Sequence, residues 1–253
     1  MLRRSFRAHL ARRGTLSQLD FFHAQIRQAV EQRVLSDSSQ RQALHRTIAD
    51  HLESLPSGDS LRDSELMVHL IAGDDRARAA HVYADLASPF SIPTAATEAL
   101  AQHVVLGAKD HPNANAAWVT TLLTQPGLTG QQVANVGNRF NFDLQDALAN
   151  MTNMATRQSL LQATQAAQQR LAESDPANAE WQRDLVVSFG MLGVLAVSQG
   201  ILPEAQRLFG ESLRIAQRLA ESDPTNAAWQ RDLSLSFEKL GDLATAQGNL
   251  PEA

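Results

Sequence analysis

The sequence predicts an all-α protein that ends in an array of repeated helical hairpins. Residues 169–205 and 217–253 are identical at 27 of 37 aligned positions, at an offset of 48 residues. Aromatic residues make up only 5% of a chain that is 43% hydrophobic, which favours helices packed through Ala and Leu over a β-sandwich. A repeat of this length is one supersecondary unit, which must stack on its neighbours to bury its apolar face.

Composition and spacing divide the chain into three segments. Residues 1–85 mix helical spacing with one alternating stretch, residues 86–156 have helical composition broken by Pro and Gly, and residues 157–253 contain the repeats. The second copy stops at Ala253, partway through a unit, and we expect it to be a truncated copy from a longer array.

In the first segment, local patterns predict a helix, a strand and a second helix. Leu2–Arg13 has helical spacing, whereas Thr15–Phe22 alternates as a strand does, and His23–Leu35 returns to helical spacing. Ser38 or Ser39 is in position to cap a further helix. His69 is expected to be partly buried and bonded to the backbone.

The repeat itself resembles the tetratricopeptide repeat. The residues that carry the resemblance alternate large and small side chains in both copies: Phe189, Leu192, Gly193 and Ala196, then Phe237, Leu240, Gly241 and Ala244. The resemblance implies an α-solenoid in which small residues let two antiparallel helices approach closely. That family's usual unit has about 34 residues, so here longer helices and an Asp-Pro-x-Asn turn are expected, with Asn178 and Asn226 as helix caps.

Most differences between the two copies fall in the first helix of the unit, at steps of three and four residues that describe one stripe. The resemblance implies that this stripe lines a groove for a protein or peptide ligand. The predicted binding residues are Val187, Gly190, Met191, Val194 and Ser198 in the first copy, and Leu235, Glu238, Lys239, Asp242 and Thr245 in the second.

A packing interpretation of the same stripe stays open. The apolar stripe of the first copy could lie under the helices that precede it, while the mixed-charge stripe of the second could be ordinary solvated surface. The shared residues Leu185, Phe189, Leu192 and Ala196 are expected to form the core of the unit in either case.

The first segment resembles the region that follows the nucleotide-binding core in STAND-class (NACHT-like) signalling ATPases. The matching motifs are a Phe-His junction, an LHRxIA helix and an HLxAGD helix: Phe22-His23, Leu44-His45-Arg46 with Ile48-Ala49, and His69-Leu70 with Ala72-Gly73-Asp74. The resemblance implies the end of a winged helix with a small β-hairpin, followed by a helical array. The chain has no G-x-x-x-x-G-K-[ST] loop, so the ATPase domain of such a protein would lie upstream of Met1.

Together these patterns predict a non-catalytic protein–protein interaction module, the sensor or scaffold half of a STAND-like signalling protein. A free-standing tetratricopeptide scaffold or adaptor is the first alternative, and a winged-helix DNA-binding regulator is the second. The identity of the partner, the oligomeric state and the pathway are not encoded in any pattern of the sequence.

No catalytic, cofactor-binding or metal-binding residue is predicted. The chain has no cysteine, and its eight histidines form no H-E-x-x-H pair, so thiolate chemistry and the common zinc-protease motif are absent from the sequence. A net charge of −5 argues against nucleic-acid binding. Without a long apolar run or a secretory signal, we expect a cytoplasmic protein with no membrane partner. The Arg-rich, acid-free stretch before Asp20 also fits a mitochondrial transit peptide.

Overall fold

The computed structural model describes residues 10–13, 18–21, 37–86, 94–110, 114–149 and 154–247. Apart from two four-residue strands, these residues form helices joined by short turns, which confirms the prediction of an all-helical array. The chain divides into two compact units, Met1–Asp75 and Arg76–Ala253. The predicted segments, with boundaries after residues 85 and 156, differ from this division.

Two short strands pair in the first unit. β1 (Leu10–Arg13) is antiparallel to β2 (Gln18–Phe21), with Leu10 opposite Phe21. The predicted helix over Leu2–Arg13 is therefore wrong at its C-terminal end. There, pairing with the alternating stretch that follows fixes an extended backbone and overrides the local helical spacing.

A two-stranded ribbon alone does not define a winged helix. The Phe22-His23 junction and the helix expected after it fall within residues 22–36, which lie outside the described residues. The N-terminal half of the predicted Leu2–Arg13 helix lies outside them as well. The winged helix therefore stays a prediction.

The described part of the first unit also contains two helices, α1 (Ser38–Glu53) and α2 (Ser60–Ala72). The cap of α1 is Asp37, not Ser38 or Ser39, because its carboxylate accepts a hydrogen bond from the Ser39 N–H at 2.8 Å. A carboxylate in this position also interacts favourably with the helix dipole. The buried apolar residues of the two helices are Ala49, Leu52, Leu66, Met67 and Leu70.

Polar contacts also join α1 to α2. The Nδ1 atoms of His45 and His69 lie 2.8 Å apart, and Arg46 Nε donates to the Gly73 carbonyl oxygen at 2.8 Å. His69 is half-buried as expected, but its partner is the ring of His45 and not the backbone. His45 lies on α1 at the same level as His69 on α2, so the two rings meet.

The second unit is a succession of helices. Its first part contains α3 (Arg76–Ala84), α4 (Ala95–Asp110) and α5 (Ala114–Thr120), with a 3-10 turn over Thr121–Thr124. Next come α6 (Gly130–Arg139), a π-helical turn over Phe140–Leu144 and α7 (Gln145–Leu148). The remaining four are α8 (Met154–Ser174), α9 (Ala179–Ser198), α10 (Leu202–Ser222) and α11 (Ala227–Ala246).

The first part of this unit is held by a core that includes buried polar groups. The fully buried Tyr83 donates to or accepts from Thr97 Oγ1 at 3.1 Å, and its ring centroid lies 5.8 Å from that of Phe140. Arg139 and Asp143, both buried at the π-helical turn, form an ion pair at 3.1 Å. Such a pair loses its hydration on folding, so it stabilises the fold only through close, well-directed contacts.

No helix within the described ranges combines the length and the apolar character that crossing a bilayer requires.

Candidate protein-binding surfaces

The four C-terminal helices recur at the interval found in the sequence. α8 and α10 begin and end 48 residues apart, and so do α9 and α11. Asn178 and Asn226 cap α9 and α11, accepting hydrogen bonds from the Trp181 and Trp229 N–H groups at 3.2 Å. The predicted caps are confirmed, and the sequence repeat is also a structural repeat.

α9 and α10 approach each other closely at a glycine. A Cβ atom at Gly193 would overlap the ring of Phe209, so a larger residue would force the two helices apart. In the next copy, nothing lies within 4 Å of a Cβ placed at Gly241. Phe189 is 8% exposed, whereas its equivalent Phe237 is 56% exposed. Among the described residues, no helix covers the face of α11 that contains Phe237 and Gly241 in the way that α10 covers α9.

Neighbouring copies are linked through charged and polar side chains. Arg183 Nε of α9 lies 2.6 Å from Asp232 Oδ2 of α11, and this hydrogen bond raises the pKa of Arg183. Asp184 precedes Asp232 by one repeat, and it accepts a hydrogen bond from Asn138 of α6 at 2.9 Å. Burial raises the pKa of Asp184 to about 6, and the charge of Glu180 adds to the increase. One carboxylate position thus makes different contacts in the two copies.

The five predicted binding residues of α9 do not form one exposed surface. Val194 and Ser198 are exposed, whereas Val187 and Met191 are half-buried. Met191 packs against the apolar core of the repeats, and Gly190 is buried. Only Val194 and Ser198 are fully available to a partner, because the other three are covered to different degrees by neighbouring helices.

On α11 the structure exposes four of the five predicted residues: Leu235, Glu238, Asp242 and Thr245. Lys239 is half-buried, and its Nζ lies 5.9 Å from the centroid of the Phe209 ring. A Cβ atom at Gly190 would come within 3.9 Å of the Lys239 side chain, so Lys239 extends toward α9 and α10. This lysine belongs in part to the packing between helices.

A groove that includes none of the ten predicted residues lies over α9, between α8 and α10. It encloses about 710 Å³. Its α8 wall presents four glutamines and a glutamate: Gln158, Gln162, Gln165, Gln169 and Glu173. Its α10 wall presents glutamates and arginines: Glu204, Arg207, Glu211, Arg214 and Arg218. We name it the amide groove after its glutamine wall.

Hydrogen bonds order the α8 wall of the amide groove. Gln165 Nε2 donates to Gln169 Oε1 at 2.7 Å, and Gln169 Nε2 donates to Glu173 Oε1 at 2.8 Å. At the other end, Gln199 of α9 donates to Gln158 Oε1 at 3.1 Å. A side-chain amide has two N–H donors and two acceptor lone pairs, so each bonded glutamine retains capacity for another partner.

The floor of the amide groove is apolar. It consists mainly of residues that both repeat copies share or that pack on them: Leu185, Phe189, Leu192, Ala196, Leu208 and Ile215. The sequence contained one signal of this surface, because the glutamines of α8 recur at steps of four, three and four and therefore lie on one helical face. The groove itself depends on the separation of α8 from α10, which no local pattern specifies.

Within the described part of the chain, no three His, Asp or Glu side chains are grouped to hold a metal ion. Comparisons of the chain with protein families, with curated proteins and with solved structures give no match.

Proposed function

We propose that this chain is a non-catalytic protein–protein interaction module built as a tetratricopeptide-like helical array. The observation that carries the proposal is the recurrence of α8–α9 as α10–α11, with the same caps but different residues at exposed positions. The exposed Val194 is replaced by Asp242 and the exposed Val197 by Thr245, while the apolar residues Leu185, Phe189, Leu192 and Ala196 recur in the second copy. An array with constant packing and variable surface is suited to binding polypeptides of defined sequence.

We further propose that the module is the sensor or scaffold half of a STAND-like signalling protein, with a winged-helix end in its first segment. The contacts between α1 and α2 support this part. His45 and Arg46 of the LHRxIA motif contact His69 and the Gly73 carbonyl of the HLxAGD motif, so residues of the two motifs meet in one helix pair. The genomic sequence upstream of Met1 tests it. An in-frame P-loop is expected, and its absence would favour the free-standing scaffold.

Affinity enrichment from a lysate of the source organism tests the interaction function. The immobilised chain is compared with Glu238→Lys/Asp242→Lys, which reverses two exposed charges and leaves the half-buried Lys239 in place. We expect a specific protein partner whose recovery falls severalfold with this variant, because charges at an interface strongly affect specificity and association rate.

A matched control has the same change in net charge at exposed sites elsewhere, Glu98→Lys/Glu221→Lys. It is expected to retain the partner, and circular dichroism should show native helicity for both variants. If the folded chain enriches no protein above the level of the heat-denatured chain, the interaction function is wrong. Equal recovery by both variants would place the binding surface away from α11.

A further inference from the structure

α11 repeats the face of α9 that packs against α10. We define the open face of α11 as five residues that recur from α9 with their identity unchanged: Leu233, Phe237, Leu240, Gly241 and Ala244. Their equivalents in α9 are buried: Leu185, Phe189, Leu192, Gly193 and Ala196. In α11, by contrast, Phe237 is 56% exposed and Gly241 is also exposed. The same set of residues is therefore covered in one copy and at least partly accessible in the other.

The cover of α9 shows what such a face requires. α10 follows α9 after a short turn over residues 199–201, so the two helices are antiparallel neighbours. The ring of Phe209 occupies the space that Gly193 leaves by lacking a side chain. A helix that covers this face must therefore bring an aromatic ring to the glycine, and it must leave room for the phenylalanine one turn before that glycine.

α11 contains both halves of this contact. Phe237 and Gly241 are four residues apart, so they lie on one side of the helix, about one turn from each other. In an antiparallel pair of α11 helices related by a two-fold axis, Phe237 of each copy would lie over Gly241 of the other. We propose that the open face of α11 binds a second copy of this chain and forms an isologous dimer, in which each contact occurs twice.

A second copy fits the open face better than an unrelated helix does. An unrelated helix would have to present a ring to Gly241 and a gap to Phe237, one turn apart and in the correct order. A second copy supplies both at that spacing by symmetry. Nothing lies within 4 Å of a Cβ atom placed at Gly241, so an aromatic ring has room there. Because each copy uses the open face once, the assembly closes as a dimer.

Size and charge determine the strength of this dimer. One helix from each copy gives an interface at the small end of the specific range, so we expect a dissociation constant on the order of 10 µM. Pairing of Phe237 with Gly241 places the two-fold axis level with Lys239. The exposed Glu238 lies next to that level, so the Glu238 side chains of the two copies approach each other. Added salt should therefore strengthen the association, because it screens this repulsion.

Sedimentation equilibrium of the whole chain, from about 1 to about 300 µM, measures the association. We expect a monomer–dimer equilibrium that tightens as sodium chloride is added. Phe237→Ala removes the ring from both symmetry-related contacts and is expected to weaken the dimer by roughly tenfold or more. Leu235→Ala is the control, because Leu235 is also exposed on α11 but lies two residues away and faces a different side of the helix. It should leave the dissociation constant unchanged.

Gly241→Ala separates an effect on the interface from an effect on the fold. In the monomer the space is open and alanine favours the helix, so the melting temperature of a dilute sample should rise. In the dimer the new methyl group would meet the ring of Phe237, as a methyl group at Gly193 would meet Phe209, so the dimer should weaken by roughly fivefold or more. Gly210→Ala adds a methyl group at another open position, within α10, and should leave the association unchanged.

Mixing the Phe237→Ala and Gly241→Ala variants tests the pairing itself. A mixed dimer keeps one intact contact of ring and glycine, and at the other contact two methyl groups meet without a clash. Fluorescence-detected sedimentation, with one variant labelled, should therefore show tighter association in the mixture than in either variant alone.

Three results would each overturn the inference: a chain that stays monomeric at every concentration, a dimer that both variants leave unchanged, or a mixture that associates no better than its components. A monomeric chain would leave the open face to a helix of another protein. The proposed function does not depend on this dimer, because recovery of a partner from the lysate tests it separately.

Discussion

Asp184 and Asp232 occupy the same position in successive repeat copies, yet they form different contacts. Asp232 accepts from the guanidinium of Arg183 at 2.6 Å, while Asp184 accepts from the uncharged amide of Asn138 at 2.9 Å. Each carboxylate contacts a helix earlier in the chain, α9 for Asp232 and α6 for Asp184. The repeat thus preserves the residue but not its electrostatic environment.

Replacing Asp184 by Asn should stabilise the protein above pH 6. Burial raises the pKa of Asp184 from its ordinary value near 3.8 to about 6, so the folded chain holds this proton more tightly than the unfolded chain. The favourable contribution is complete below about pH 3.8 and disappears as the pH rises to about 6. We expect Asp184→Asn to raise the free energy of unfolding by about 1–3 kcal/mol at pH 7.5. Urea titrations at pH 7.5 and pH 4 measure the difference, which should vanish at the lower pH.

Asp232→Asn is the matched variant one repeat later. It removes the charge that pairs with Arg183, whose guanidinium is partly buried, so we expect it to destabilise the protein at pH 7.5 by about 0.5–2 kcal/mol. Urea titrations at pH 7.5 measure the free energy of unfolding of this variant as well. Equal effects of the two variants would contradict the distinction between the two environments.

Gly193→Ala and Gly241→Ala should change stability in opposite directions. A methyl group at Gly193 overlaps the ring of Phe209, and the crowding should cost about 1–3 kcal/mol. At Gly241 the space is open, and alanine should stabilise the helix by about 0.5–1 kcal/mol because it favours helical backbone. Thermal unfolding followed by circular dichroism measures both. Similar melting temperatures for the two variants would mean that the close approach of α9 to α10 is absent in solution.

The sequence predicted those features of the repeats that depend on identity at a fixed interval. The Asn178 and Asn226 caps followed from the Asp-Pro-x-Asn turn in both copies and from known capping chemistry. The close helix approach at Gly193 followed from the resemblance of the repeat to the tetratricopeptide unit. The strand at Leu10–Arg13 did not follow, because its backbone is fixed by pairing with residues further along the chain and not by its own spacing.

The predicted binding residues likewise show what local sequence patterns cannot specify. The ten predicted residues are positions that differ between the two copies. A position can differ because its side chain faces solvent, or because it packs against different residues in each copy. Gly190 is buried and lies beside the Lys239 side chain, so these two positions take part in the packing between α9 and α11. The amide groove, in contrast, is formed by three helices, and only their separation in space reveals it.

Phe189→Ala should cost much more stability than Phe237→Ala. The ring of Phe189 is 8% exposed within the core of the repeats, so its loss should cost about 3–5 kcal/mol. The ring of Phe237 is 56% exposed, so its removal should cost less than about 1 kcal/mol. Urea unfolding of the two variants checks the difference. A large cost at Phe237 would show that this face of α11 is covered in solution.

Acidification should weaken the contact between α1 and α2 in the first unit. Burial lowers the pKa of both His45 and His69, and the charge of His45 lowers that of His69 further, because a second proton would place two cations at nitrogen atoms 2.8 Å apart. The unfolded chain therefore binds protons more readily than the folded one. The stability contributed by the pair is complete above about pH 6.5 and falls as the pH drops through and below that value.

This pH effect can be separated from that of Asp184. All three tryptophans, Trp118, Trp181 and Trp229, lie in the second unit, so their fluorescence reports that unit, whereas circular dichroism reports both. Between pH 7.5 and pH 5 we expect the dichroism transition to lose stability that the fluorescence transition does not lose. His45→Gln/His69→Gln should abolish this difference, because glutamine side chains can bond to each other but do not titrate in this range. If the double variant keeps the acid sensitivity of the wild type, the histidine pair is not its source.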